Sequence, residues 1–381
     1  NPHYMKRLGL LLLLLGCLTA QAQFRDMNRS ANWIFGNRAG LKFVGYADSI
    51  PGNERVELFK TCTQVINKEG VSTMSDAQGN LLFHAGGTWV GDATLSTMKN
   101  GNELFGNVST TQTSVIVPQP GSDSLYYLFS NYKDCLGTVF YSIIDMSLNN
   151  GYGAVTAKNI RLNDTLGIDE KIAAVRHSEK DAYWVLTRRC GSDQFYLYYI
   201  DETGLVLDST KTQVIGTVDR RFGYNSTGYM SFSADGCRVA LAHRNGQVQV
   251  MRFNPATGVL YDPLDIYVEQ SAYGVAFSPD GSKLYVTEWA SKDTAIKTTN
   301  VYQYDLYING VNSSQEDIQA SMVTLATHQY AYGAVQQGPD GRLYIAKDKN
   351  IEDPFNLGQQ ELIETGLPHL DVIEWPNRKG T

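Results

Sequence analysis

The hydrophobic and polar residues of segment 271–289 alternate in the pattern of a β-hairpin. In residues 272–278 small or polar residues alternate with Val275 and Phe277, and Pro-Asp-Gly follows at 279–281. The chain then continues as an aromatic and β-branched strand up to Trp289. Alternation on both sides of a tight turn predicts two antiparallel strands.

The same hairpin recurs along the chain. Clear copies and two degenerate ones stand at Thr73–Gly86, Val117–Ser130, Val175–Arg189, Ser231–His243 and Val335–Asp348. The turn glycines Gly79, Gly236, Gly281 and Gly341 are 157, 45 and 60 residues apart, and the first interval holds the two degenerate copies. The mean period is therefore about 52 residues, which is typical of a β-propeller.

The second repeat shows the composition of one unit. It reads as four strands separated by turn residues, at Thr111–Val117, Leu125–Ser130, Val139–Met146 and Ala154–Leu162. In later repeats the third strand contains a four-residue pattern. An aromatic or apolar residue stands at the first and third positions, and Asp or Asn stands at the fourth. The pattern occurs at 198–201, 251–254 and 302–305. We expect its aromatic residues to pack between blades and its final polar residue to cap the next turn.

The sequence therefore predicts an all-β fold, a β-propeller of seven four-stranded blades. The last repeat ends near Trp375 without an outer strand, and the segment Trp33–Phe43 at the other end of the chain lacks the hairpin of the repeats. We expect the closing blade to be incomplete or to be completed by this N-terminal segment. Segment 45–70 is polar and reads as irregular.

The first 22 residues have the features of a secretory signal peptide. Met5-Lys6-Arg7 precedes the apolar stretch Leu8–Leu18, and Ala20-Gln21-Ala22 forms a cleavage site. Residues 1–4 precede the expected initiator methionine and are read as non-native. The alternative is a lipoprotein anchored at Cys17, because Leu14-Leu15-Gly16-Cys17 resembles a lipobox. Residues 23–381 are expected to form a single propeller domain that is truncated at its C-terminus.

Composition and charge exclude some classes of function. A formal net charge of −7 makes nucleic-acid binding unfavourable. The six histidines are scattered without a metal-binding spacing, so neither a metal nor a cofactor is expected. Cys62, Cys135, Cys190 and Cys237 remain after cleavage of the signal peptide, and three pairings of these four are possible.

Candidate ligand-binding residues lie in the loops that enter the innermost strand of each blade, because these loops meet at one mouth of the central channel. The candidates are Gln112, Glu170, Arg221, Asn225, Tyr273 and Tyr332. Aromatic and amide side chains around a mouth suit sugars or peptides. The alternative is that Tyr273 and Tyr332 plug the channel. No residue is predicted to be catalytic.

An ordered set of motifs resembles a known family. NWIFGNRAGLKF, VSTMSDAQGNLLFHAGG, YSIIDMSLNNGYGAV, YGVAFSPDGSKLYVTEW and LDVIEWPN occur in this order between Asn32 and Asn377. They resemble the N-terminal WD40-like or PD40-like propeller of large secreted proteins of Bacteroidota, which usually end in a gliding-motility-associated C-terminal sorting domain. Val71 and the insertion 349–368 depart from the family pattern.

The resemblance implies a secreted or cell-surface protein that is exported by type IX secretion, with attachment through a C-terminal domain beyond this chain. It implies a non-enzymatic binding or adhesion module for a glycan or protein partner, without a transmembrane helix. The alternative is a propeller enzyme of the lactonase or glycan lyase or hydrolase type, with its site at the channel mouth. Such an enzyme would place Glu170, Arg221 and a histidine close together.

Overall fold

The computed structural model describes residues 28–35, 39–45, 55–60, 69–133, 135–162, 167–218, 226–289, 298–308, 311–328, 331–348 and 370–380. In these ranges the chain forms seven small antiparallel sheets arranged as a seven-bladed β-propeller. The predicted all-β propeller is confirmed. The predicted signal peptide, Arg221, Asn225 and the insertion 349–368 lie outside the described residues.

The strands follow the blades in chain order. The closing blade contains β1 (Asn32–Phe35), β2 (Ala39–Val44) and β3 (Arg55–Lys60), and blade 1 contains β4 (Ser72–Ser75), β5 (Leu81–Ala85) and β6 (Val90–Asp92). Blade 2 contains β7 (Ser114–Pro118), β8 (Leu125–Ser130), β9 (Phe140–Asp145) and β10 (Ala154–Arg161). Blade 3 contains β11 (Ile168–Arg176), β12 (Tyr183–Arg189), β13 (Gln194–Asp201) and β14 (Gly204–Val214).

The remaining blades complete the ring. Blade 4 contains β15 (Met230–Phe232), β16 (Arg238–Ala242), β17 (Gln247–Asn254) and β18 (Val259–Tyr267). Blade 5 contains β19 (Ser271–Phe277), β20 (Lys283–Trp289), β21 (Thr299–Asp305) and β24 (Val323–His328), with the hairpin β22 (Tyr307–Ile308) and β23 (Val311–Asn312) inserted. Blade 6 contains β25 (Ala331–Gln337), β26 (Leu343–Asp348) and β27 (Asp371–Ile373).

The N-terminal segment closes the propeller. Its Trp33 and Phe43 rings lie 5.5 and 5.6 Å from the ring of Tyr344 in blade 6. On the other side Asn32 donates to Ser75 of blade 1 over 3.0 Å. Among the described residues the closing blade has three strands, and so do blades 1 and 6, whereas blades 2 to 5 have the predicted four.

Two parts of the chain differ from the sequence-based expectation. The segment expected to be irregular contains β3, which forms because Val56 and its neighbours pair with β2 along the whole of that strand. Between β21 and β24 the chain adds the small hairpin and a six-residue helix, Gln315–Ala320. The helix covers the outer edge of blade 4: the Gln315 and Gln319 side-chain oxygens accept from Asp265 N and Tyr267 N at 2.9 and 2.7 Å.

The turns are formed as expected. Asp280 and Asp340 each accept a hydrogen bond from the backbone N–H two residues later, at 2.9 and 3.0 Å. These aspartates therefore belong to the turns that hold the hairpins together. The third-strand alignment needs a correction. Strand pairing places Arg252, and not Asn254, at the ladder position that Asp305 holds in blade 5.

Apolar side chains of neighbouring blades form the core. Between blades 3 and 4, for example, Trp184 and Leu197 pack with Leu241 and Phe253. Fully burying one such side chain contributes about 1.5–3 kcal/mol, so the blade interfaces carry the fold. In the described part of the chain, no helix has both the length and the apolar character needed to span a membrane.

Candidate functional site

The innermost strands approach each other closely at the predicted mouth. Gln112 N donates to Glu170 O over 3.1 Å, and Tyr229 N donates to Tyr273 O over 2.7 Å, so backbone hydrogen bonds connect neighbouring blades. A Cβ atom at Gly274 would lie 2.8 Å from the carbonyl oxygen of Gly333. There is consequently little space between blades 4, 5 and 6 at this end of the channel.

Glu170 is buried here as a hydrogen-bond acceptor. Only 1% of its surface is exposed. Its Oε2 atom accepts from both the backbone N–H and the hydroxyl of Thr111, each at 2.9 Å, and Ser226 donates to Oε1 over 3.3 Å. These contacts connect blades 2, 3 and 4 through one side chain.

Gln112 also connects blades. Its side-chain amide donates to Met230 O over 3.0 Å and accepts from Met230 N over 2.8 Å. The amide thus bonds the backbone of blade 4 as a neighbouring strand would. Both polar ends of the Gln112 side chain are used inside the protein, which favours a structural role over ligand binding.

Tyr273 fills the mouth with its ring. It is 6% exposed, and its ring lies 5.7 Å from that of Tyr229 and 4.9 Å from that of Trp289. Burial raises the pKa of Tyr273 well above its usual value, and the nearby Glu69 carboxylate adds to this effect. The phenol is therefore neutral at any physiological pH, and its ring packs against two aromatic neighbours.

Tyr332 does not reach the mouth. It precedes its turn glycine, Gly341, by nine residues, whereas Tyr273 precedes Gly281 by eight. Because side chains alternate between faces along a strand, a shift of one residue moves the ring to the other face. Tyr332 is fully buried in the core between blades 5 and 6.

The structure thus brings three of the six predicted site residues together, namely Gln112, Glu170 and Tyr273. It places Tyr332 in the core between blades 5 and 6. Arg221 and Asn225 lie outside the described residues, so their predicted role stays a prediction.

A charged cluster beside the mouth was missed from the sequence. Asp169 and Lys171 flank Glu170, and all three side chains are buried. Lys171 Nζ donates to the carbonyl oxygens of Ser226 and Thr227 at 2.7 and 3.1 Å and lies 3.5 Å from the Asp169 carboxylate. Burial raises the pKa of Asp169 and lowers the pKa of Lys171, and the attraction between the two charges opposes both shifts.

Arg188 extends this cluster into blade 4. Its Nη1 atom lies 3.8 Å from the Asp169 carboxylate and 3.1 Å from Nε2 of His243, and its Nη2 atom donates to Thr217 O over 3.0 Å. A buried ion pair is stable only when its remaining donors and acceptors are satisfied. Among the described residues the cluster draws partners from two blades for most of these groups, and Arg188 Nε is the one buried donor of Arg188 that has no hydrogen-bond partner. The shared partners indicate a structural connection between the blades.

A strand irregularity explains how three consecutive charged residues are buried. Ile168 pairs with Arg189 and Ile172 pairs with Thr187. The chain therefore advances four residues along β11 while it advances only two along β12. The extra residues form a bulge that breaks the alternation of faces. The only sequence signal for it is the run Asp169-Glu170-Lys171 at the start of an otherwise apolar strand.

A disulfide bond lies beside the cluster. Cys135 and Cys190, which follow the second strands of blades 2 and 3, are bonded with their Cα atoms 5.8 Å apart. A carboxylate oxygen of Asp169 lies within 4.8 Å of both sulfur atoms. Cys237 is free and exposed, and Cys62 lies outside the described residues. Of the pairings that the sequence left open, the structure selects Cys135 with Cys190.

Comparison with known proteins adds little to this description. No protein family model matches the chain, and no curated protein matches it. It is similar to the crystal structure of a putative 6-phosphogluconolactonase from Bacteroides uniformis ATCC 8492, with 13% identity and a TM-score of 0.36 over 68% of this chain and 83% of that chain. It is also similar to the crystal structure of a putative 6-phosphogluconolactonase from Bacteroides fragilis NCTC 9343, with 12% identity and a TM-score of 0.41. That match covers 91% of this chain and 83% of the other chain.

At this level of similarity, neither structure indicates an activity for this chain. The propeller assignment rests on the seven sheets and their order in the ring.

Proposed function

We propose that this protein is a non-enzymatic binding or adhesion module that recognises a glycan or protein partner. The observation that carries the proposal is the burial and internal hydrogen bonding of the Glu170 carboxylate. This is the acidic residue that a propeller enzyme was expected to use at the mouth, and here its carboxylate binds Thr111 and Ser226. A general acid or base must come within hydrogen-bond reach of its substrate. Glu170 instead connects blades.

The histidine nearest to the charged cluster supports the same conclusion. His243 faces Arg188 over 3.1 Å and is 1% exposed, so it belongs to the structural cluster. Tyr273 is also buried, and its ring packs against that of Trp289. Without access to these groups, a lactonase or glycan lyase reaction at the mouth lacks its acid and base.

We further propose that the protein works outside the cytoplasm. The signal-like N-terminal segment motivates this location, as does the bond between Cys135 and Cys190. Disulfide bonds persist in oxidising compartments and are rare in the cytosol. Attachment to the cell surface through a further C-terminal domain remains part of this proposal.

Two measurements on the mature chain, beginning at Gln23, test the function. On a combined glycan and peptide array we expect selective binding that disappears after heat unfolding. On a panel of lactones and acidic glycans we expect no turnover above buffer. Turnover by the wild-type protein that is lost in Glu170→Gln would overturn the non-enzymatic proposal, and a blank array would contradict the binding function.

A further inference from the structure

The propeller carries a repeated charge position on its third strands. The first residue of strand 2 in a blade faces one position of strand 3, as Leu125 faces Asp145 and Lys283 faces Asp305. In blades 2 and 5 that position is acidic, with Asp145 and Asp305, whereas in blades 3 and 6 it is Ile200 and Ile373. In blade 5 the acid holds a cation across the strands, with Asp305 2.6 Å from Lys283. In blade 6 a similar ion pair forms just outside the strands, where Arg342 lies 2.7 Å from Glu374.

Blade 4 departs from this pattern. Here Arg238 begins the second strand, and the residue directly opposite on the third strand is Arg252. Like charges that face each other across a strand pair are destabilising. An anion at this place would therefore meet the side chains of two arginines that face each other across the strand pair.

The partners of Arg238 in the structure are neutral groups. Its guanidinium lies 4.4 Å above the Tyr307 ring, donates to Asn312 Oδ1 over 2.8 Å and reaches Gly281 O at 3.4 Å. These contacts fix the orientation of the side chain, but none of them balances its charge.

Arg252 has one weak carboxylate contact. Its Nε atom lies 3.8 Å from Asp262 Oδ2, and the Asp262 side chain is 71% exposed. An exposed pair of this kind contributes little. Asp262 also has a φ of 47°, an uncommon conformation for a residue other than glycine, and it forms a bulge with Pro263. Strained residues of this kind cluster at ligand sites.

A cavity of about 150 Å³ opens beside the two arginines, between blade 4 and the insertion of blade 5. Its polar wall contains Arg238, Arg252 and Asn312, with Asp262 also in the lining. Its apolar wall is formed by Val250, Leu264, Leu306 and Ile318. Pockets for drug-sized ligands usually measure about 300–1,000 Å³, so this one suits a single small residue of a larger ligand.

We propose that this cavity binds an acidic sugar residue of the uronate type, whose carboxylate supplies the anion that blade 5 carries in its own sequence as Asp305. The carboxylate meets the two guanidinium groups. The apolar face of the sugar ring packs on Leu264 and Ile318, and Asp262 accepts a ring hydroxyl. An Asp or Glu side chain offers no hydroxyl to Asp262, which favours a sugar over an acidic peptide. The inference rests on the proposed binding function and names its ligand class.

The test uses isothermal titration of the mature chain with a tetrameric uronate oligosaccharide, its neutral methyl ester, an acidic hexapeptide and sodium sulfate. We expect the uronate to bind at least tenfold more tightly than the other three, and more weakly as salt rises. Equal binding of the ester, or tighter binding of the peptide or of sulfate, would contradict the assignment to an acidic sugar.

The decisive variant is Arg252→Asp, which gives blade 4 the charge pattern of blade 5. We expect uronate binding to fall at least tenfold while Tm stays equal or rises, because a carboxylate then faces Arg238. The matched control is Lys180→Asp, an exposed residue of blade 3 whose replacement changes the net charge equally. It should leave the uronate affinity within twofold.

A second readout needs no variant at the cavity. The thiol of Cys237 is exposed and feels the charges of Arg238 and Arg252. Saturating uronate should slow the alkylation of this thiol by iodoacetamide at least threefold. The rate is measured by mass spectrometry of the peptide that contains Cys237. An unchanged alkylation rate contradicts the cavity.

The two proposals can fail separately. Selective array binding that persists in Arg252→Asp contradicts the cavity and leaves the binding module standing. A blank array together with no uronate binding contradicts both.

Discussion

Thr111 donates twice to Glu170, once from its backbone N–H and once from its hydroxyl, and both distances are 2.9 Å. The two residues belong to neighbouring blades and are 59 positions apart in the chain. The same hydroxyl accepts from Gly228 N of blade 4 over 3.4 Å. One threonine side chain therefore helps to hold three blades together at the mouth.

We predict that Thr111→Val destabilises the protein by about 2 kcal/mol, because a hydrogen bond to a buried charged group is lost while the shape of the side chain is kept. Urea unfolding followed by tryptophan fluorescence measures the change. The control is Thr156→Val, which removes an exposed hydroxyl that donates to Ile143 O at 3.2 Å. It should change stability by less than about 0.5 kcal/mol. Equal effects of the two variants would contradict the structural role of Glu170.

His84 should make stability depend on pH. Its side chain is fully buried and its ring lies 5.0 Å from the Trp89 ring. Burial lowers the pKa of His84 from 6.5 to about 4, against the opposing attraction of Asp92. Since the folded pKa lies below the unfolded one, the unfolded chain takes up the proton first. Stability is therefore full above about pH 6.5 and is lost as pH falls toward 4, by about 3 kcal/mol in total.

The measurement is urea unfolding of the wild-type protein and His84→Leu at intervals between pH 7.5 and 4.5. The free energy of unfolding of the wild-type protein should fall more steeply in acid, and the difference between the two proteins should shrink as pH decreases. Parallel pH dependences would show that His84 is not responsible.

The bond between Cys135 and Cys190 should stabilise the fold. It closes a loop with a sequence separation of 55. The chain-entropy model gives about 4 kcal/mol for a loop of this length, and measured values are typically about 2–4 kcal/mol. We expect the double variant Cys135→Ser with Cys190→Ser to lose stability in this range. Cys237→Ser, which removes an exposed thiol, should leave the unfolding midpoint unchanged.

Two glycines on neighbouring innermost strands should respond differently to alanine. A Cβ at Gly274 would lie 2.7 Å from Thr287 Oγ1 and 2.8 Å from Gly333 O, whereas a Cβ at Gly333 would lie 3.5 Å from the Ala346 side chain. We expect Gly274→Ala to cost about 1–3 kcal/mol through overpacking. Gly333→Ala should be neutral or slightly stabilising, because it restricts the unfolded chain. Comparing the two Tm values checks this, and a Gly274→Ala variant as stable as the wild-type protein would contradict the close contact of the blades at Gly274.

Much of the fold could be predicted because each hairpin is encoded locally. The strand predicted at Leu125–Ser130 has the same bounds in the structure, and Asp280 forms its turn with residues two positions away. β3 was missed because most of the surrounding segment is polar, although the strand itself contains Val56, Leu58 and Phe59. It pairs with β2 over its whole length.

The candidate site was harder to predict than the fold. Tyr273 and Tyr332 stand in the same local motif, Ala-Tyr-Gly, yet one fills the mouth and the other lies in a blade interface. Their different distance to the turn glycine decides the face, and the sequence motif alone does not show it. The bulge at Asp169–Lys171 had only the run of three charged residues as a signal, and regular alternation would have exposed every second one of them.

The sequence by itself determined the repeat, the hairpins, the number of blades and the closure by the N-terminal segment, because alternation and turn chemistry act between near neighbours. Only the tertiary structure decided that Glu170 is an interior acceptor and that Arg188 meets His243, 55 residues away. It also decided that Arg238 faces Arg252 at a cavity. Burial and charge pairing depend on which strands become neighbours, and that follows from the packing of the whole ring.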